Sequence, residues 1–443
     1  MGFIEYDSRT FSVISLIILA ALIVDYFISS SIDAFNPQAS SSWGVLLFST
    51  IAIICILGQY LILFITKKRM SKYNVKDSQI ITLQKVMTIV LYVMTAVVAV
   101  VLLQIYIFSW YYIHLISLVV VIAYGFTSII MGILSYKLLD WYLSKRSLII
   151  LIYGLAAASF TINAVVSAIL FEQLLVEKPL IFTTHSVVEF NFECDTNPFK
   201  CFITNFQSYT MYAYVLAMWC GSIVLLHYHI KRVGKVKFWV LVTLPLVALY
   251  LGYVSAYGEL YQMSSTVSKE QTPVIKMSLI IAFTISLGIL NGIGFRSVGM
   301  LAKSSHIIME YMICAAYGIV FYFTAANSTV AAAGYPPFGL SSISFVPMSA
   351  FLILLGLYYS AISVANDSDL RREIKRSVIK ETKLLGSMGE AQMEQELEKK
   401  VMKLTNDKTE IMIEQTGIQP SLSIDEAREY LYEVMEEVKD RKK

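Results

Sequence analysis

Residues 84–107 read QKVMTIVLYVMTAVVAVVLLQIYI. A single charge, Lys85, stands at the first turn, and the rest is apolar apart from Gln84, two Thr, two Tyr and Gln104. At about 1.5 Å per residue such a stretch is long enough to cross a hydrocarbon core of about 30 Å. Lipid offers no water to its backbone N–H and C=O groups, so a lone segment must pair them internally, as a helix. Nine further stretches read the same way, at about 11–29, 44–66, 114–136, 147–170, 209–229, 238–260, 276–295, 306–324 and 343–365. The expected fold class is all-α: a polytopic membrane helix bundle of about ten transmembrane helices, followed by a short helical cytoplasmic tail.

Charge separates the two parts. Of 35 basic and 32 acidic residues, 15 and 18 fall in positions 366–443. The first 365 positions are thus about 9% charged, where a soluble domain carries about 25%. A water-soluble globular enzyme is excluded for that region. The division is a transmembrane domain over 1–366, with an outer loop at 171–208, and a tail over 367–443. Helix 1 does not read as a cleaved signal peptide, because its flank MGFIEYDSR is acidic and no small-residue cleavage site follows.

Lys and Arg in the loops set the direction of the spans. With both termini in the cytoplasm, sixteen basic residues lie at inner loops and helix ends, among them Lys67, Lys68, Lys145, Arg146, Lys235 and Lys237. Four lie outside: Lys178, Lys200, Lys269 and Lys276. The localisation expected is the cell membrane, the first partner is the lipid bilayer, and the net charge of +3 gives no reason to expect nucleic acid. Anionic lipid heads are the natural contacts of those anchors.

Cys55, Cys220 and Cys314 lie within apolar spans and read as small packing residues. Cys194 and Cys201 flank the turn-forming sequence DTNPFK in the outer loop. The preceding IFTTHSVVEFNFE is rich in β-branched and aromatic residues, so the loop is expected to form a small hairpin stapled by a Cys194–Cys201 disulfide on the oxidising side.

Ionisable residues at membrane depth are costly and therefore candidates for function. Asp25 and Glu259 lie in the outer halves of helices 1 and 7, where they could face a common cavity. His114 opens helix 4, and Asn291 sits among Gly288, Gly292 and Gly294 in helix 8. These four are the candidate ligand-binding residues. His306 and Glu310, four apart, could pair at the inner mouth. Lys137 and Asp140 have the spacing of a helical ion pair. Gly288-x-x-x-Gly292 fits close helix packing, whereas an unwound helix there would fit a transporter. The segment around Gly334, Pro336, Pro337 and Gly339 reads as re-entrant or as a linker.

No catalytic residue is assigned. H-E-x-x-H, the Walker loop, G-x-S-x-G and C-x-x-C are all missing from the chain. Five histidines are scattered, no metal site is expected and no cofactor is called for.

Past helix 10, nothing in Asp367–Leu385 breaks a helix, so the span should continue into the tail until Gly386 and Gly389 interrupt it. A second helix follows, with Met393, Leu397, Val401 and Leu404 on one face, suited to a short coiled coil. Ser423 and Glu426 form a capping box for a last helix, striped by Ala427, Leu431, Val434 and Val438. The connector NDSDLRREIKRS (366–377) resembles the one that leads from sensor membrane modules into a signalling helix. With LLGSMGEAQMEQELEKKV and EQTGIQPSL, the tail resembles uncharacterised archaeal multi-spanning membrane proteins. That resemblance implies no active residue, and the tail has no histidine to accept a phosphoryl group. The expected function is a non-enzymatic sensor or signal-coupling protein, its tail binding a cytoplasmic protein or a second copy. The alternatives are a secondary transporter of a small solute and a structural subunit of a membrane complex.

Overall fold

The computed structural model describes residues 2–30, 41–72, 78–176, 178–183, 198–227, 230, 234–256, 272–301, 306–326, 334–366, 383–416, 426, 430, 433 and 434. Among these, every expected span falls in a helix: α1 (Gly2–Ser30), α2 (Ser42–Lys72), α3 (Ser78–Phe108), α4 (Ile113–Lys145), α5 (Leu148–Val176), α6 (Pro198–His227), α7 (Lys235–Ala256), α8 (Thr272–Leu301), α9 (His306–Ala325) and α10 (Leu340–Asn366). An eleventh helix, α11 (Lys383–Thr416), follows. Nine of the ten are long and apolar enough to cross a bilayer within the described residues. The exception is α7, whose side chains are described only as far as Leu251. The chain is an all-α polytopic membrane protein.

Its outer wall is what lipid demands. Trp43, Leu103, Ile107 and Trp239 are more than half exposed, an apolar surface that water would not tolerate. The interior is organised around one helix. The apolar stretch of α10 is buried along its whole length, against 33% for α3. α10 touches α1, α2, α3, α4, α9 and α11, so it is the axis of the bundle.

Glycines let the backbones close up around this axis. A Cβ on Gly356 of α10 would lie 2.5 Å from the Tyr311 carbonyl oxygen and 2.6 Å from the Ala315 nitrogen of α9. Gly288 and Gly292 do the same between α8 and α9, where a Cβ would meet Val320 at 3.3 and 2.9 Å. α8 runs unbroken through them, so they act in packing.

One end of the bundle carries Lys67, Lys68, Lys145, Lys235 and Lys237 and is called the basic end here. The other carries two strands, β1 (Trp110–Tyr112) and β2 (Ile181–Thr183), paired antiparallel with Tyr111 opposite Phe182. Among the described residues, β2, the start of the expected hairpin, pairs with the α3–α4 link. The physical reason is that Trp110-Tyr111-Tyr112 is itself strand-forming and is turned out of α3 by Ser109 at φ 57. Residues 184–197, Cys194 among them, lie outside the described residues.

Gly356→Ala is expected to cost about 2 kcal/mol by forcing α9 and α10 apart. Gly125→Ala, where a Cβ meets nothing within 4 Å, should be neutral or gain about 0.5 kcal/mol. Equilibrium unfolding in mixed micelles checks both, and equal behaviour of the two variants would contradict the close α9–α10 contact.

Candidate functional site

Two polar assemblies sit at opposite ends of α10. At the strand end the first turn of α10 is enclosed by protein, and Gly334–Leu340 is buried throughout. The first amides of a helix have no partner inside it. Asp25 of α1 supplies one: its carboxylate accepts from Gly339 N–H (2.9 Å), Ser342 N–H (2.9 Å) and Ser342 Oγ–H (2.7 Å). It caps from another helix, placing its acceptors at the positive end of the helix dipole. Gly339, at φ 91, takes a backbone conformation that few other residues accept. The approach to this turn is held by Tyr111, whose hydroxyl donates to Gly334 O at 2.9 Å, and by Tyr335, which donates to Ile105 O at 3.2 Å. Burial pushes the Tyr111 phenol above its ordinary pKa, so it stays a donor.

This changes the reading of the ligand candidates. Asp25 is fully buried, and both its oxygens are turned to donors of α10, so it acts as a cap. Glu259 lies outside the described residues. His114 is exposed on the bundle surface. Asn291 is fully buried, accepting from Ser222 Oγ of α6 and donating to Leu287 O at 2.9 Å, as interhelical hydrogen bonding would have it. Glu310 is buried and engaged, and the side chain of His306 lies outside the described residues.

The second assembly is at the basic end, where α11 folds back on the bundle. Leu384, Leu385, Met388 and Ala391 are buried against α10 and α4. Gly389 lies at the crossing, since a Cβ there would come 2.5 Å from Val364 Cβ of α10. Gly386 and Gly389 therefore do not interrupt the helix: α11 runs straight through them, because a glycine at a tight crossing gains in packing what it loses in propensity. The expected continuation of α10 through 367–382 lies outside the described residues.

A polar rim surrounds this apolar seat. Trp141 Nε1 of α4, its indole stacked on Tyr358 of α10 at 6.1 Å, donates to Gln392 Oε1 at 3.1 Å. Glu394 accepts from Ser144 Oγ (2.7 Å) and from Lys145 Nζ (2.6 Å), and Lys145 also reaches Glu390 at 3.3 Å. Gln395 Nε2 donates to Asp140 at 2.8 Å. The expected Lys137–Asp140 pair is replaced: Asp140 turns to α11, while Lys137 lies 5.8 Å above the Tyr358 ring. None of these α11 groups stood out in the sequence, where Glu390, Glu394 and Gln395 looked like an ordinary polar helix face. Past Glu396 the helix leaves the bundle, and Leu397, Leu404 and Ile411 are exposed.

Among the described residues no group of three His, Cys, Asp or Glu could hold a metal ion. An interior cavity beside Tyr153, Phe160 and Phe295 holds about 20 Å³, room for roughly one water. Comparison with known proteins finds no matching family model, no matching characterised protein and no matching solved structure.

Asp25→Ala strands two buried amides and a hydroxyl, an expected loss of about 3 kcal/mol, while His114→Ala should stay within about 0.5 kcal/mol. Thermal unfolding in detergent separates them. At the other end, a double-mutant cycle of Lys145→Gln and Glu394→Gln should give a coupling of about 1 kcal/mol, read from protease cleavage within α11. A coupling of zero would mean that the pair does not hold α11 to its seat.

Proposed function

We propose that this chain is a non-enzymatic signal-coupling protein of the cell membrane, with both termini in the cytoplasm and the strand end outside. The observation that carries this reading is the seat of α11 on the ends of α4 and α10. The central helix is gripped by Asp25 at one end and by the tail helix at the other. A displacement at the strand end would reach α11 through α10 and the α9 packed on it, at the contact of Val364 with Gly389. The free half of α11, with its exposed apolar stripe, then engages a cytoplasmic protein or a second copy.

Other features support parts of the reading. The excess of Lys and Arg lies at the end where α11 docks, as expected for a cytoplasmic face. Cys201 is disulfide-bonded, while Cys55, Cys220 and Cys314 are free, which favours pairing with Cys194 on an oxidising side. The connector-like sequence 366–377 lies between α10 and α11 in the chain. Solute transport draws less support, since Asn291 and Asp25 are satisfied internally and α8 is unbroken.

Amine-reactive cross-linking of the full chain in its native membrane tests the proposal. Lys399, Lys400, Lys403 and Lys408 should cross-link to one partner or to a second copy, and Lys145→Glu, which breaks the seat, should change that yield at least twofold. Proteoliposomes that move a solute while the tail lysines give no cross-link would replace the proposal with a transporter.

A further inference from the structure

Among the described residues, the wall between α3 and α4 is open at the basic half of the bundle, and the central helix forms the floor of the gap. Leu83 of α3 and Ile133 and Lys137 of α4 make the rims; Phe351, Leu354 and Tyr358 of α10 lie beneath. The groove holds about 80 Å³, room for on the order of five water- or methylene-sized groups. Its lining is apolar with one exception, Lys137, whose ammonium is placed above the Tyr358 ring at 5.8 Å. Lys137 stands two helical turns before the end of α4, within snorkelling reach of the membrane surface.

We infer that this groove binds one acyl chain of an anionic phospholipid, with a phosphate oxygen of its headgroup at Lys137. The opening is on the lipid-facing wall, flanked by Ile133 and Ile129, which are 41% and 59% exposed, so the occupant arrives from the bilayer rather than from water. The apolar floor suits methylenes, and Lys137, the one cation among the described lining residues, stands at the end where headgroups lie. Lys85, exposed near the same end of α3, adds a second positive charge for an anionic head over a zwitterionic one. The inference stands on the groove alone and is independent of what α11 contacts.

Trp141, stacked on Tyr358, is a natural reporter. With Trp43, Trp110, Trp219 and Trp239 replaced by Phe, the full chain is placed in phosphatidylcholine vesicles containing increasing amounts of phosphatidylglycerol brominated on its acyl chains. Quenching should saturate at a mole fraction on the order of fivefold lower than with brominated phosphatidylcholine. Lys137→Gln should abolish that preference, Lys137→Arg should keep it, and Leu354→Phe, which fills the floor, should weaken quenching by both lipids. Native mass spectrometry of the chain with all its tryptophans gives an independent count: phosphatidylglycerol retained by the natural sequence and lost in Lys137→Gln. Identical curves for the two lipids, or a phosphatidylglycerol preference that survives Lys137→Gln, overturn the inference.

Discussion

A helix that begins inside protein at membrane depth must find acceptors for its first amides, because neither lipid nor water can supply them. α10 begins this way, and Asp25 answers the requirement from a position 314 residues earlier in the chain. Much else depends on that bond. It fixes where α1 lies against α10, and it allows the buried segment Gly334–Gly339 to turn into a helix without stranding donors. It also lets a helix buried along its whole span occupy the axis, so that α1, α2, α3, α4 and α9 can pack around it.

The spans were legible because twenty apolar residues in a row admit few other structures. Their arrangement was not. In water, periodic polarity tells the core face from the outer face; in lipid both faces are apolar, and α10 reads no differently from α3. The high cost of Asp25 was visible, but its partner is a backbone terminus, which carries no side-chain signature. Glycine was ambiguous for a related reason. Gly288 and Gly292 stood in an apolar helix, where close packing is the natural reading. Gly389 stood in a charged stretch, where it looked like a break until Val364 was found against it. Lys137 and Asp140 had the right spacing to pair, yet the stronger claims came from Tyr358 and Gln395, on elements distant in sequence.

The two ends of α10 show contrasting solutions to polar burial. At the strand end a carboxyl group is enclosed, and three donors meet it at the positive end of the helix dipole. At the basic end the ion pairs of Lys145 with Glu390 and Glu394 remain at the edge, partly wet, while Leu385, Met388 and Gly389 make the contact beneath. Ion pairs that stay in reach of water add little energy but do fix register. The first arrangement is suited to permanence. The second, an apolar patch rimmed by single ion pairs, is suited to a contact that can be made and released.

The middle of α10 decides how the ends communicate. Pro347 lies inside the helix and removes the N–H that would otherwise bond to the Ile343 carbonyl, which softens the backbone at that point. Free bending is nevertheless blocked, because Gly318 of α9 presses on the same stretch: a Cβ there would lie 2.8 Å from Leu352 Cβ and 3.0 Å from Ser349 O. With no space for α10 to move alone, a change at its capped end must carry α9 with it or be absorbed at Pro347. Only the first alternative reaches Gly356, one turn past Leu352 and again locked on α9, and from there the α11 seat at Val364. The tight contacts of Gly318 and Gly356, both past Pro347, are therefore what would make α9 and the rest of α10 move as a pair.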